Sequence, residues 1–352
     1  QTRIATIDSF GTVFILWSVY YMFKWLTMDF FGEKPWKTLL PLGLSGLFMG
    51  LAIASKWTGC YAGAGLALLF FWGVYRRFMC CRRVKRLLAE DKKPLKKQKN
   101  APGAPAYSPR LLSAAREGEK WLIWNVLSCF LFFVFVPLGI YYLSYIPYFA
   151  YQGGVTVQKV IDAAKSMLSY HAEPGRGMDH YFYAPWYMWP IDLKPMWYSS
   201  TSFAPEGFGA TILAFGNPIV WWTGLAGILG TLGVWIKRHF RAGGITLRQT
   251  TSDIRPALLL VTFAAQYLPW ALVPRGTYIY HYFPSVPFII LATAVCLDLL
   301  AEKHEKATRI AAIVLVSLAG VAFVGFFPYA SGVTVPTWWL DAMKWFPDWL
   351  YY

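Results

Sequence analysis

Residues 38–86 read TLLPLGLSGLFMGLAIASKWTGCYAGAGLALLFFWGVYRRFMCCRRVKR, and this stretch decides the fold. Two apolar runs, at about 38–56 and 57–76, meet at Lys56, the one charged side chain of the stretch before Arg76. As helices, both are long enough to cross ~30 Å of hydrocarbon. So little separates them that they predict a tight helical hairpin. Beyond it the cations Arg76, Arg77, Arg82, Arg83, Lys85 and Arg86 crowd together, where the chain leaves the lipid. Barrel strands would instead alternate over about ten residues.

Outward from this hairpin the same pattern recurs at 9–27, 121–147, 214–236, 256–274, 282–300 and 309–328. About eight spans are therefore expected, in one all-α integral membrane domain covering residues 1–352. Composition agrees: 57% of residues are hydrophobic and 14% charged, which excludes a soluble globular protein. None of the five cysteines has metal-ligand spacing with a histidine, so neither a zinc site nor a disulfide framework is expected.

Lysines and arginines orient the spans. With 76–120 taken as a basic cytoplasmic loop, 25 of the 33 basic residues fall on that side and 8 on the other. Acidic residues divide 10 to 8 on the same assignment. The loop itself lacks the interleaved aromatics of single-strand binders, so it points to anionic lipid head groups and not to nucleic acid.

On this topology the polar features gather outside the cytoplasm. Asp8, preceded by Arg3, stands at the outer entrance of the first span, and Lys56 at the hairpin tip. A large extracytoplasmic loop, 148–213, carries His171, Glu173, Asp179, His180 and Asp192 among many aromatics. Arg275 and His281 lie in the short outer link PRGTYIYHYFP. Each has a structural alternative. Asp8 can cap a helix, Lys56 and Arg275 can anchor at the interface with their stems along apolar surface, and the Trp and Tyr of HYFYAPWYMWP can form an interface belt. Together, two cations and a carboxylate at one depth suit a lipid-linked phosphate with a hydroxyl acceptor. They would also suit a lipid or solute transporter, although transporters tend to hold polar sites at the midplane.

Five strings in order, RIATIDSF, GLFMGLAIASKWTG, HAEPGRGMDHYFYAPWYMWP, GNPIVWW and LPWALVPRGTYIYHYFPSVPF, resemble the bacterial protein O-mannosyltransferases, membrane glycosyltransferases of the GT-C fold. The resemblance runs from about residue 2 to residue 300. It implies inverting transfer of mannose from a polyprenyl-phosphate carrier to Ser or Thr hydroxyls of secreted proteins, at the outer face of a bacterial plasma membrane. A GT-C enzyme with a lipid or cell-wall glycan acceptor is the neighbouring alternative. Carried over by position, Asp8 is the acidic residue at the donor site, and Arg3, Lys56 and Arg275 meet the carrier phosphate. His180, Tyr181, Trp186, His281 and Tyr282 are expected near sugar or acceptor. The implied partners are the bilayer, the lipid-linked donor and a secreted protein acceptor near the translocon. The residues name no metal ligands, and a divalent metal and the oligomeric state stay open. Family members have about eleven spans and an acidic pair in the first outer loop, upstream of RIATID. The chain is thus expected to be N-terminally truncated and to lack the principal base.

Overall fold

The computed structural model describes residues 6–91, 109–201, 203–241 and 253–349. Arg3 and the middle of the basic segment 76–120 lie outside the described residues. The protein is a helical membrane protein whose chain divides into two compact units. One comprises Val13–Ser144 with 242–253; the other comprises Gln1–Thr12, Tyr145–Arg241 and Ile254–Tyr352.

The first unit is helical throughout: α1 (Asp8–Thr27, whose first turn belongs to the second unit), α2 (Pro35–Ser55), α3 (Gly59–Asp91), α4 (Pro109–Arg116), α5 (Gly118–Phe130) and α6 (Val136–Ser144). Between α5 and α6 a π-helical turn, Leu131–Phe135, carries the N–H of Val136 to the carbonyl of Leu131. Pro137 follows at once. Proline has no N–H and crowds the preceding turn, so widening of the helix here has an identifiable cause. Helix α2 fits against the widened turn through Gly46, where any Cβ would strike the Phe132 carbonyl. Buried polar side chains pin the helices together. The Trp25 indole donates to Asn125 Oδ1 at 3.0 Å, Asn125 Nδ2 donates to Thr38 at 3.1 Å, and Ser45 donates to the Ser18 carbonyl at 2.8 Å.

Helix α3 holds the third predicted run, 57–76, and outlasts it. It continues through the basic residues to Asp91. Hydropathy marks where the lipid ends, not where the helix does, and Arg, Lys, Leu, Ala and Glu all favour helix.

The second unit adds α7 (Ile146–Phe149), α8 (Val157–Ala172), α9 (Pro218–Arg241), α10 (Arg255–Tyr267), α11 (Val286–Ser331) and α12 (Thr337–Ala342). Two short antiparallel pairs join β1 (Met196–Ser200) to β3 (Thr211–Ala214) and β2 (Phe208–Gly209) to β4 (Val335–Pro336). The segment 148–213, expected as a large outer loop, holds α8, a 3₁₀ turn and three of the strands. Thr156 starts α8 by accepting the Lys159 N–H at 3.2 Å.

Helix α11 has 46 residues and would span about 69 Å if straight, far more than a bilayer core. It bends at His304, whose φ and ψ of −137° and 53° are not helical. Before His304 the chain descends beside α9, with Ile289 against Gly224 and Cys296 against Gly230. After it the chain returns to the starting end of α9, where Asn217 donates to the Ala319 carbonyl at 2.9 Å and Phe215 meets Phe326 at 5.5 Å. The two last predicted runs are the arms of this hairpin, and one residue replaces the expected link 301–308.

Among the described residues five helical segments are long and apolar enough to cross a membrane, with both arms of α11 in one of them. The first and sixth predicted runs are also helical, at 20 residues for α1 and 13 for α10. The core of the second unit gathers Leu213, Phe326, Tyr329, Leu340 and Trp349.

Candidate functional site

Two strings far apart in sequence are laid side by side in the second unit. The N–H of Gly175 donates to the Pro274 carbonyl at 2.9 Å, and that of Gly276 to the Arg176 carbonyl at 2.8 Å. Further along, the N–H of Ala184 donates to Thr277 O at 2.9 Å, and the Thr277 hydroxyl returns a bond to Ala184 O at 3.0 Å. Irregular backbone needs partners for its polar groups, and these segments supply one another's. The approach is close enough that a Cβ on Gly276 would collide with the Gly177 carbonyl. Glycine is therefore required at that position.

The seam gathers several of the expected residues. Asp8, the first helical residue of α1, is 4% exposed. Its carboxylate and the Arg275 guanidinium both act electrostatically on the Tyr280 hydroxyl, as do Tyr278 and Tyr170. Arg275 is half-buried; its Nη1 donates to the Gly276 carbonyl at 2.9 Å, and its buried Nε has no partner. Burial raises the Tyr278 phenol above its ordinary range, opposed by the Arg275 cation. His180 is exposed, accepts the Phe182 N–H on Nδ1 at 3.2 Å, and meets Tyr278 edge-on at 5.3 Å.

Below the seam lies an aromatic floor. A 3₁₀ turn, Trp186–Ile191, rests beside a second one, Ile279–Ser285. Trp189 is buried; its indole donates to Ala184 O at 2.9 Å, and its ring stacks on His281 at 6.0 Å. His281 is 3% exposed and accepts the Tyr278 N–H on Nδ1 at 3.1 Å. Tyr282 is 1% exposed and enclosed by Tyr267, Trp221 and Trp189. Tyr267 in turn donates to the Trp186 carbonyl at 3.0 Å. His281 and Tyr282, expected to meet sugar or acceptor, are thus walls of the floor. Trp186 is half-buried at its edge, and Tyr181 is exposed with Lys194 over its ring at 5.4 Å. Lys56 belongs to the other unit, where it ends α2 in extended conformation with its N–H on the Ala52 carbonyl at 2.8 Å.

Asp192, noted in the sequence only as one outer carboxylate among several, ends the first 3₁₀ turn with φ 56° and is 0% exposed. Oδ2 accepts the Gly216 N–H at 3.0 Å, the backbone carbonyl accepts the Trp349 indole at 2.8 Å, and Oδ1 has no partner. Burial pushes its carboxyl well above the usual range, more than the Gly216 bond holds it down. The signal for it was its position directly after the WPI string, where the chain must turn.

Residues 156–349 match the family model described as the C-terminal four TMM region of protein-O-mannosyltransferase. The polyprenol-phosphate-mannose–protein mannosyltransferase of Corynebacterium glutamicum is 25% identical over 92% of this chain and 60% of its own length. The protein of that name from Mycobacterium tuberculosis is 24% identical over 87% of this chain and 56% of its own. The chain thus spans about three-fifths of the length of these relatives. A solved structure of the Saccharomyces cerevisiae protein O-mannosyltransferase Pmt1–Pmt2 complex bound to the sugar donor aligns at a TM-score of 0.44. That alignment has 21% identity and covers 56% of this chain and 27% of the other.

Proposed function

We propose a function from one premise: the chain belongs to the protein-O-mannosyltransferase family, by the match of residues 156–349. The protein takes part in transfer of mannose from a polyprenyl-phosphate carrier to Ser or Thr hydroxyls of a protein acceptor. The observation that carries this reading is the family match, and the seam adds a half-buried cation, Arg275, held to the Gly276 carbonyl with its buried Nε unpartnered. In the transfer the acceptor oxygen bonds to the anomeric carbon, and the bond from that carbon to the phosphate oxygen breaks on the opposite face. The electron pair leaves with the phosphate, and the hydroxyl proton passes to a base. Arg275 neutralises the departing phosphate; a cation preorganised where charge develops stabilises that step selectively. Its unpartnered Nε is a donor in reserve. Asp8 orients a hydroxyl of the donor sugar. His180 and Trp186 flank the sugar or acceptor, while His281 and Tyr282 position the seam from beneath. The active face is extracytoplasmic, in a bacterial plasma membrane.

The test is transfer of labelled mannose from polyprenyl phosphate mannose to a Ser/Thr-rich peptide by membranes carrying the full-length protein. Alkali-labile label on the peptide is the expected result. Well-folded protein that transfers nothing under these conditions would sink the reading.

A further inference from the structure

In the helical unit, a cavity of about 310 Å³ is lined by Leu26, Phe31, Val84 and Ala114 together with two consecutive arginines, Arg76 and Arg77. The transfer reaction has no use for it. Arg77 is 9% exposed. Its guanidinium lies over Trp25 at 3.9 Å and Phe30 at 4.5 Å, and its Nη2 donates to the Trp25 carbonyl. Nη1, also buried, has no hydrogen-bond partner, and among the described residues no carboxylate pairs with this charge. Arg76 adds a second positive charge on the same wall and lies over Trp72 at 4.8 Å.

A buried guanidinium with a spare donor is costly unless an anion completes it. Aromatic faces offset part of that cost, yet they supply no acceptor for Nη1. The position in the chain narrows the choice of anion. Arg76 and Arg77 are the first cations after the apolar run of α3, the level at which lipid head groups meet a spanning helix. The remaining lining is mostly apolar, which suits an acyl chain and gives nothing to a free inorganic ion.

We propose that this cavity binds the phosphate-bearing head group of an anionic membrane lipid, with the phosphate at Arg76 and Arg77 and the chain along Leu26, Phe31 and Val84. Phosphate oxygens accept from the guanidinium in the geometry arginine favours. The lipid holds together the end of α1, the basic half of α3 and α4, three elements that all contribute to the lining.

Thermal unfolding of the detergent-solubilised full chain, titrated with phosphatidylglycerol, phosphatidylcholine or inorganic phosphate, reads this directly. The expected result is a saturable rise in Tm with phosphatidylglycerol alone, its apparent affinity falling at least about ten-fold in Arg77→Gln. Equal stabilisation by phosphatidylcholine overturns the proposal, and equal stabilisation by inorganic phosphate overturns its lipid part. If Arg77→Gln does not fold, Cys80→Trp fills the cavity while both arginines remain, and it should abolish the phosphatidylglycerol shift. A shift that survives in a folded Cys80→Trp protein refutes the site.

Discussion

The two units order their polar groups by opposite means. In Val13–Ser144 the backbone satisfies itself inside helices, and order between helices comes from side-chain bonds such as Trp25–Asn125–Thr38. In the other unit the seam between 175–184 and 274–277 is made mostly of backbone bonds, with glycine where the chains come closest. Side-chain pins can be lost one at a time. A backbone seam fails together, because removing one bond exposes carbonyls and N–H groups that apolar surroundings cannot solvate. Chemistry that needs fixed charges therefore gains more from the seam than from the pins.

The sharpest way to break this contrast is Gly276→Ala, which forces a methyl into the Gly177 carbonyl. It should cost about 3 kcal/mol of stability and abolish transfer, read by thermal unfolding and by the mannose assay. A folded, active Gly276→Ala protein would show that the seam is not needed. Next in size is Arg275→Ala. Loss of a charge-assisted contact of about 2 kcal/mol should lower kcat/KM for the lipid donor roughly thirty-fold, with Tm nearly unchanged. If Tm falls as much as activity, Arg275 is part of the seam and not of the site. In the helical unit, Asn125→Ala should cost less, about 1 kcal/mol, since polar pairs between membrane helices contribute modestly and Trp25 and Thr38 lose one shared partner. Transfer kinetics should then be unaltered once the protein is folded.

A slope rather than a loss distinguishes Asp192. Its folded carboxyl is raised by burial, so the folded state holds a proton that the unfolded state has released. Its contribution to stability is therefore greatest at low pH and declines as pH rises above the ordinary carboxylate range, until the folded group itself ionises. Asp192→Asn keeps the shape, tolerates the positive φ and removes the titration. Tm measured against pH should lose that declining limb in the variant. An unchanged slope would assign it to another group.

Much of the helical framework was legible because lipid imposes a simple rule, an uninterrupted apolar run of sufficient length. The apolar runs it marked fall largely on helix, both arms of α11 included, and five helical segments among the described residues are long and apolar enough to cross a membrane. The rule was blind to the course of α3 beyond Arg76, since helix continues wherever propensity allows. Burial of Arg77 was hidden for the same reason: a cation outside the apolar run reads as solvated, and only the folded position of Trp25 and Phe30 shows otherwise. Asp8 and Arg275 stood out in the sequence as charges beside spans. The seam did not, because backbone pairing across long sequence separation leaves no local pattern. A faint signal existed in the similar strings Pro174–Gly177 and Pro274–Gly276, each pairing arginine with glycine after a proline. Burial of His281 and Tyr282 was hidden as well, because an aromatic motif reads alike whether its rings are exposed or enclosed.

The bend at His304 limits how this part of the gene can change length. One residue makes the reversal, so there is no slack link to absorb an insertion. A single added residue in the returning arm would turn everything beyond it by about 100° about the helix axis. Phe326 and Tyr329 would swing out of the cluster they share with Phe215 and Trp349. The arm can therefore accept substitutions in sequence far more readily than it can accept insertions or deletions.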